Sequence, residues 1–159
     1  MLDTIIVTGC AGFIGWKVSE KLLESNENVI GIDDINNYYD TRIKEWRLST
    51  LHKLNNFKFY KLDITKHQSL REIIKTSNSK AIINLAARAG VRASIEDPWI
   101  YLEANIKGTL NLLECCREFS IRKFILSSTS SIYGNNKLPF NETDNTDRPL
   151  APYSASKKA

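Results

Sequence analysis

Three glycines at three-residue spacing, Gly9, Gly12 and Gly15, follow the run Thr4-Ile5-Ile6-Val7 and open an amphipathic stretch. That order, a short β-branched strand, a glycine turn and a helix, leaves a chain few ways to fold. Gly9 permits a tight turn, Gly12 lets the main chain approach a ligand with no Cβ in the way, and Gly15 lets the helix pack closely on the strand. The free N–H groups and the positive end of the helix dipole then converge on one point, which suits a diphosphate. The same three glycines also fit a turn that holds no ligand, so the rest of the chain has to decide.

The helix after the loop carries Ile14, Val18, Leu22 and Leu23 on one side and Lys17, Glu20, Lys21 and Glu24 on the other, and is expected to stop near Asn26. Asn28-Val29-Ile30-Gly31-Ile32-Asp33 reads as a buried strand ending in a carboxylate a little over twenty residues beyond the first glycine. At that position Asp33 is placed to accept hydrogen bonds from ribose hydroxyls, and with Asp34 to repel a 2′-phosphate, which predicts NAD as cofactor in place of NADP. Asp33 and Asp34 also suit the start of a plain turn.

Tyr39 to Leu54 reads as an inserted helix rich in charge (Arg42, Lys44, Glu45, Arg47), with Ile43, Trp46, Leu48 and Leu51 as packing residues. A third strand, Phe57 to Leu62, ends in Asp63-Ile64; Asp63 either reaches an adenine amino group or caps the following helix, expected around Ser69 to Lys75. Ala81 to Ala87 forms an apolar fourth strand, whose small residues Ala86, Ala87, Ala89 and Gly90 leave room for a ligand over the sheet edge. Asp97-Pro98 predicts a helix from an Asp97 N-cap to about Phe119, in which Gly108 hints at a close approach by backbone or ligand. Lys123 to Ser128 is a fifth strand, followed by the hydroxyl cluster Thr129-Ser130-Ser131; a polar loop then leads to a helix opened by Pro152. The fold class is α/β, a doubly wound parallel sheet of Rossmann type in the order 3-2-1-4-5, incomplete on its C-terminal side.

Composition excludes more than it proposes. With 159 residues and 42% apolar content, one domain with a core is expected. A net charge of +4 made of scattered residues gives no nucleic-acid footprint. Cys10, Cys115 and Cys116 make neither a disulfide framework nor a metal site, and His52 and His67 have no partners at ligand spacing. They read as core cysteines and surface histidines. No basic-then-apolar leader and no membrane-length apolar run is present, so the expectation is a soluble, cytoplasmic protein without a membrane partner.

Tyr153 and Lys157 stand four residues apart, so on a helix they share a face with Cβ atoms roughly 5 to 6 Å apart. A phenol with a pKa of about 10 is a poor base, but a nearby ammonium and a positive nicotinamide ring favour its phenolate, which then removes an alcohol proton while Thr129 holds the same alcohol. The spacing alone is common on solvated helices.

TGCAGFIG, GIDDINNYYD, the Asp63-Ile64 pair, NLAARAGVR, NIKGTLNLLE, SSTSSIYG and YSASK together resemble the N-terminal part of an extended short-chain dehydrogenase/reductase of the NAD-dependent sugar-nucleotide epimerase/dehydratase group, across effectively the whole chain. The resemblance implies an NAD site at Gly9, Gly12, Phe13, Ile14, Gly15, Asp33, Asp34, Asn36, Asp63, Ile64, Leu85, Ala86, Ala87, Asn105, Tyr153 and Lys157. It implies the catalytic set Thr129, Tyr153 and Lys157, and sugar-nucleotide contacts at Arg88, Ser130 and Ser131. GIDDINNYYD and AGVRASIEDP are most similar to the branch that inverts carbon 4 of UDP-glucuronate through a transient 4-keto sugar, with Tyr153 as base.

Alternatives are a 4,6-dehydratase or a non-catalytic NAD-binding module or remnant. The dehydratase branch places Asp-Glu directly after the catalytic Thr, where this chain has Ser130-Ser131. Asn84 stands where the family usually has His, and Asp34 where it often has Asn. The family continues past the Tyr-Lys helix into a sugar-nucleotide-binding region, so residues 1–159 correspond to the NAD-binding part of a longer enzyme, expected to be a homodimer acting on a UDP-sugar, and the chain alone is expected to be inactive.

Overall fold

Residues 3–159 are described in a computed structural model; Met1 and Leu2, to which the sequence assigns no element, lie outside the described residues. Five strands, β1 (Thr4–Thr8), β2 (Asn28–Asp33), β3 (Phe57–Lys61), β4 (Ser79–Asn84) and β5 (Lys123–Leu126), form one sheet in the order β3-β2-β1-β4-β5. Every neighbouring pair is parallel, with Ile6 opposite Ile30 on one side and Ile82 on the other.

Pleating sends alternate residues of β1 to opposite faces, and each face has its own core. Ile6, Ile30, Ile32 and Ile82 pack against Leu70 and Ile74 of α3 (His67–Thr76) and Leu112 and Cys115 of α6 (Gly108–Glu118). Ile5, Val7 and Val29 pack against Leu23 of α1 (Phe13–Glu24) and Leu48 and Leu51 of α2 (Thr41–Leu51). Full burial of a side chain the size of Ile6, which has no exposed surface, contributes about 1.5–3 kcal/mol. Both faces being covered, the central strands are apolar throughout and not alternating.

Helix α1 ends where its sequence says it should. Asn26 takes φ 61°, its N–H donates to the Leu23 carbonyl and that of Glu27 to the Leu22 carbonyl, a paired closure that satisfies two orphan acceptors. The inserted helix is α2, N-capped by Asp40 through the Arg42 N–H at 3.0 Å. Leu48 and Leu51 are buried there as expected, but Ile43 and Trp46 are exposed and Lys44, one of the charged residues of this helix, is buried.

The long helix expected from Pro98 differs in two ways. A short helix α4 (Val91–Glu96) precedes it, and the run from α5 (Pro98–Tyr101) into α6 is interrupted by a π turn at Leu102–Lys107. Asp97 stands at the N-cap position with Pro98 behind it, yet its side chain makes no capping bond. Gly108 is the seat of the close approach: a Cβ there would lie 2.6 Å from Ile64 Cδ1. Strand β4 starts at Ser79 and stops at Asn84, so Leu85, Ala86 and Ala87 leave the sheet instead of extending it. The last helix, α7 (Pro152–Lys158), packs against α4, α5, the π turn and a 3-10 turn at Ser130–Tyr133.

Candidate active site

The glycine loop is held by contacts that no side chain would survive. Gly9 has φ +68°, and a Cβ on it would meet the Leu85 and Ala86 backbone at 2.7–2.8 Å; on Gly15 it would lie 2.1 Å from the Gly9 carbonyl oxygen. Loop, β4 end and α1 are therefore locked together. No side chain caps the N-terminus of α1 and its first turn holds no acid, so the N–H groups at this helix start are left to an acceptor from outside the helix, which suits an anion. The Phe13 and Ile14 side chains themselves are 68% and 59% exposed.

One cleft at the C-terminal edge of the sheet gathers Gly9, Gly12, Asp33, Asp34, Asn36, Asp63, Ile64, Leu85, Ala86, Ala87 and Arg88 from the sequence-derived set. Ile32, Tyr38, Tyr39, Lys44, Leu62 and Ala104 line it too, and the sequence reading named none of these six as site residues. Tyr38 and Tyr39 were within reach of such a reading, since they lie in the same loop as Asn36. Lys44 was not: its charge pointed to solvent.

Asp33 is buried at the end of β2 and well partnered. Its Oδ1 accepts from the Ile35 N–H at 2.9 Å and its Oδ2 from the Ala11 N–H at 3.1 Å, with Lys44 Nζ 3.7 Å from Oδ1. Burial raises its pKa, against the pull of those two N–H groups and of Lys44. Asp34 accepts from the Asn36 N–H at 3.0 Å and faces Arg88 Nη2 at 4.0 Å. Arg88, assigned to the sugar nucleotide by resemblance, thus sits on the Asp34 side of the cleft with the Tyr38 ring 5.8 Å from its guanidinium. The Tyr38 hydroxyl donates to the Ala89 carbonyl at 2.8 Å, joining the loop after β2 to the loop after β4 over the cleft.

Asp63 accepts from the Thr65 N–H at 2.9 Å, a local turn, and is not the N-cap of α3, which falls on Lys66. Asn105 does not line the cleft. It is buried, its Oδ1 accepting from the Arg88 N–H at 2.8 Å and its Nδ2 donating to the Arg88 carbonyl at 3.0 Å and to Ser156 Oγ at 2.9 Å. It clamps the cleft wall to α7. Asn84, in the place of the usual His, accepts from Thr8 Oγ1 at 2.6 Å and donates to Thr109 Oγ1 at 3.0 Å, while Thr8 Oγ1 accepts from the Ala86 N–H at 3.2 Å. Asn84 thus has a partner for both its amide oxygen and its amide nitrogen.

Thr129 N-caps the 3-10 turn, accepting from the Ser131 N–H at 3.2 Å and donating to Ser131 Oγ at 3.3 Å; Ser130 is exposed. That turn packs on α7, which brings Thr129 to the helix carrying Tyr153 and Lys157. The Tyr153 ring stands edge-to-face with Tyr101 at 6.0 Å, and the Tyr101 hydroxyl donates to Ala89 at 2.7 Å. Lys157 is half-buried, and burial lowers its pKa. Thr129, Tyr153 and Lys157 lie beside the cleft and do not line it.

A dinucleotide fits what is present: an uncapped helix start for a diphosphate, a glycine cradle, and a buried carboxylate with acceptor capacity left for hydroxyls. Among the described residues no group of His, Cys, Asp and Glu could hold a metal ion, and no helix is long and apolar enough to cross a membrane.

The family described as GDP-mannose 4,6 dehydratase matches residues 6–159. A UDP-glucuronate 4-epimerase of Thermodesulfobacterium geofontis is 54% identical over 153 residues, 96% of this chain and 47% of that protein. UDP-glucuronate 4-epimerase 4 of Arabidopsis thaliana is 42% identical over 98% of this chain and 36% of its own length. The crystal structure of UDP-glucuronic acid 4-epimerase from Bacillus cereus, in complex with UDP-glucuronic acid and NAD, superimposes with a TM-score of 0.89 at 34% identity, over 98% of this chain and 49% of that one. The chain spans about half the length of the curated relatives it matches. A profile match over nearly every residue, on a doubly wound sheet with its glycine cradle intact, means that the chain belongs to the NAD-dependent epimerase/dehydratase family.

Proposed function

We propose that this chain is the NAD-binding and proton-transferring part of an enzyme that inverts carbon 4 of UDP-glucuronate. The observation that carries the reading is the coupling of α7 to the cleft. Asn105 bonds both the Arg88 backbone of the cleft wall and Ser156 of α7, so the helix bearing Tyr153 and Lys157 is fixed against the cofactor cleft. Proton acceptor and hydride acceptor must meet at the same carbon for an oxidation at C4. NAD, when bound, supplies the acceptor and later the donor of the C4 hydride.

The residues supply the rest. The N–H groups of Phe13 and Ile14 hold the diphosphate, and Asp33 holds a ribose. Tyr153 takes the proton of the C4 hydroxyl, which Thr129 holds, and returns it when the 4-keto sugar is reduced from its other face, so there is no net redox change. Lys157 favours the phenolate by its charge, and a half-buried ammonium with a lowered pKa does so in a poorly screened setting.

The family takes its description from a dehydratase, and elimination of water from the sugar requires an acid beside the reacting carbon. Ser130 and Ser131 follow Thr129 here, and neither is an acid at neutral pH. The epimerase relatives are consistent with that chemistry.

A homodimer is part of the proposal. Trp99, Leu102, Leu110 and Leu113 are exposed at three- and eight-residue steps along the α5–α6 run, a stripe that a second copy would cover.

In the longer enzyme, Tyr153→Phe should lower turnover of UDP-glucuronate by about 10²–10⁴-fold while NAD affinity stays within a few-fold, because only the proton path is removed. Turnover near the unsubstituted level would show that the base is another group. Mass analysis of the product separates epimer from dehydrated sugar.

A further inference from the structure

Lys44 has no task in the function proposed above, yet it is the least expected side chain in the cleft. It lies in the second turn of α2 with 5% of its side chain exposed, and the Asp33 side chain is 6% exposed. Their 3.7 Å separation makes an ion pair but not a hydrogen bond. The other flank of the ammonium is the face of Tyr39, 5.1 Å from the ring centre. Burying an ammonium without hydrogen-bond acceptors is costly, and Lys44 carries three donors.

Asp33 in turn has each oxygen occupied by one backbone N–H, which leaves acceptor capacity on both. Open donors and open acceptors thus stand side by side at the edge of the same cleft. A vicinal diol satisfies them together, one hydroxyl donating to the carboxylate while it accepts from the ammonium.

The pairing also changes the electrostatic argument for cofactor choice. Asp33 is opposed by Lys44 and Asp34 by Arg88, so the repulsion that these two carboxylates offer a 2′-phosphate is largely cancelled. A phosphate is disfavoured because it must compete with Asp33 for the Lys44 ammonium. We propose that Lys44 is a cofactor-selecting residue: paired with Asp33 it donates to the adenosine ribose diol of NAD, and with Asp33 neutralised it binds a 2′-phosphate. This rests on the dinucleotide reading of the cleft.

Calorimetric titration of NAD and NADP into the unsubstituted chain and into Asp33→Asn, Lys44→Met, Asp33→Asn/Lys44→Met and Asp33→Asn/Lys44→Arg tests it, with circular dichroism confirming that each is folded. Asp33→Asn should gain at least about tenfold in NADP affinity, roughly what one well-placed cation contributes. Adding Lys44→Met should remove that gain, and Lys44→Arg should keep it. Lys44→Met alone leaves Asp33 buried without a cation and is the variant most at risk of not folding. The double variants carry the test without it, since they lack the buried carboxylate. An NADP gain of the same size with or without the Lys44 cation, or no gain in Asp33→Asn, overturns the inference while leaving the cleft a dinucleotide site. An unsubstituted chain that binds neither dinucleotide overturns both.

Discussion

Lys157 sets chemistry against stability. Burial lowers its pKa, so between that lowered value and the unfolded value near 10.4 the unfolded chain binds more protons than the folded one. Stability from this group therefore rises as pH climbs through that window, and at neutral pH the charged, half-buried ammonium is a net cost. Lys157→Met is expected to raise the melting temperature at pH 7, with the gain fading as pH approaches 10, and to abolish turnover in the longer enzyme; thermal melts across pH check the first part. Asn84 is the opposite case, a polar residue whose removal strands its neighbours. Asn84→Leu leaves buried Thr8 Oγ1 without its acceptor and Thr109 without its donor, a loss of about 1–3 kcal/mol by urea denaturation. At this scale the sequence named most of the cleft because glycine spacing and strand-end carboxylates carry their meaning locally. The burial of Lys44 and the clamp made by Asn105 were not legible, since each depends on partners on other elements, Asp33 for Lys44 and Arg88 and Ser156 for Asn105.

At the scale of elements, hydrophobic runs foretold the strands, because strands covered on both faces are apolar throughout, and the doubly wound topology foretold their order. The π turn was invisible: Leu102–Lys107 keeps an ordinary helical composition, and the extra residue per turn shows only in the backbone. Helix α4 is six residues long, too short for a periodic signal, and Gly90 at φ +102° starts it without a capping side chain. Two loops meet over the cleft through Tyr38 on Ala89 and Arg88 on Asp34. Tyr38→Phe combined with Arg88→Ala should therefore speed NAD release by about tenfold, roughly the sum of one hydrogen bond and one partly exposed ion pair, measured by stopped-flow displacement.

For the whole molecule, β3 and β5 are the two edges of the sheet, and they differ in what they expose. Ile125 and Leu126 are 56% and 42% exposed on β5, next to its unpaired backbone. With the stripe from Trp99 to Leu113, this gives the 159-residue chain two apolar surfaces, and sedimentation should find it self-associating at micromolar concentration. Trp99→Glu with Leu110→Glu should reduce that association, whereas no change would place the contact on β5 alone. The chain is expected to bind NAD weakly and to turn over no UDP-glucuronate. The central claim is that the cleft at the C-terminal edge of the sheet receives NAD, and amide chemical-shift mapping of the 18.1 kDa chain tests it most directly. Titration with NAD should move, saturably, the amides of Gly9 to Gly15, Asp33 to Asn36 and Ala86 to Arg88. Shifts confined to other surfaces, or none at millimolar NAD, would contradict the account.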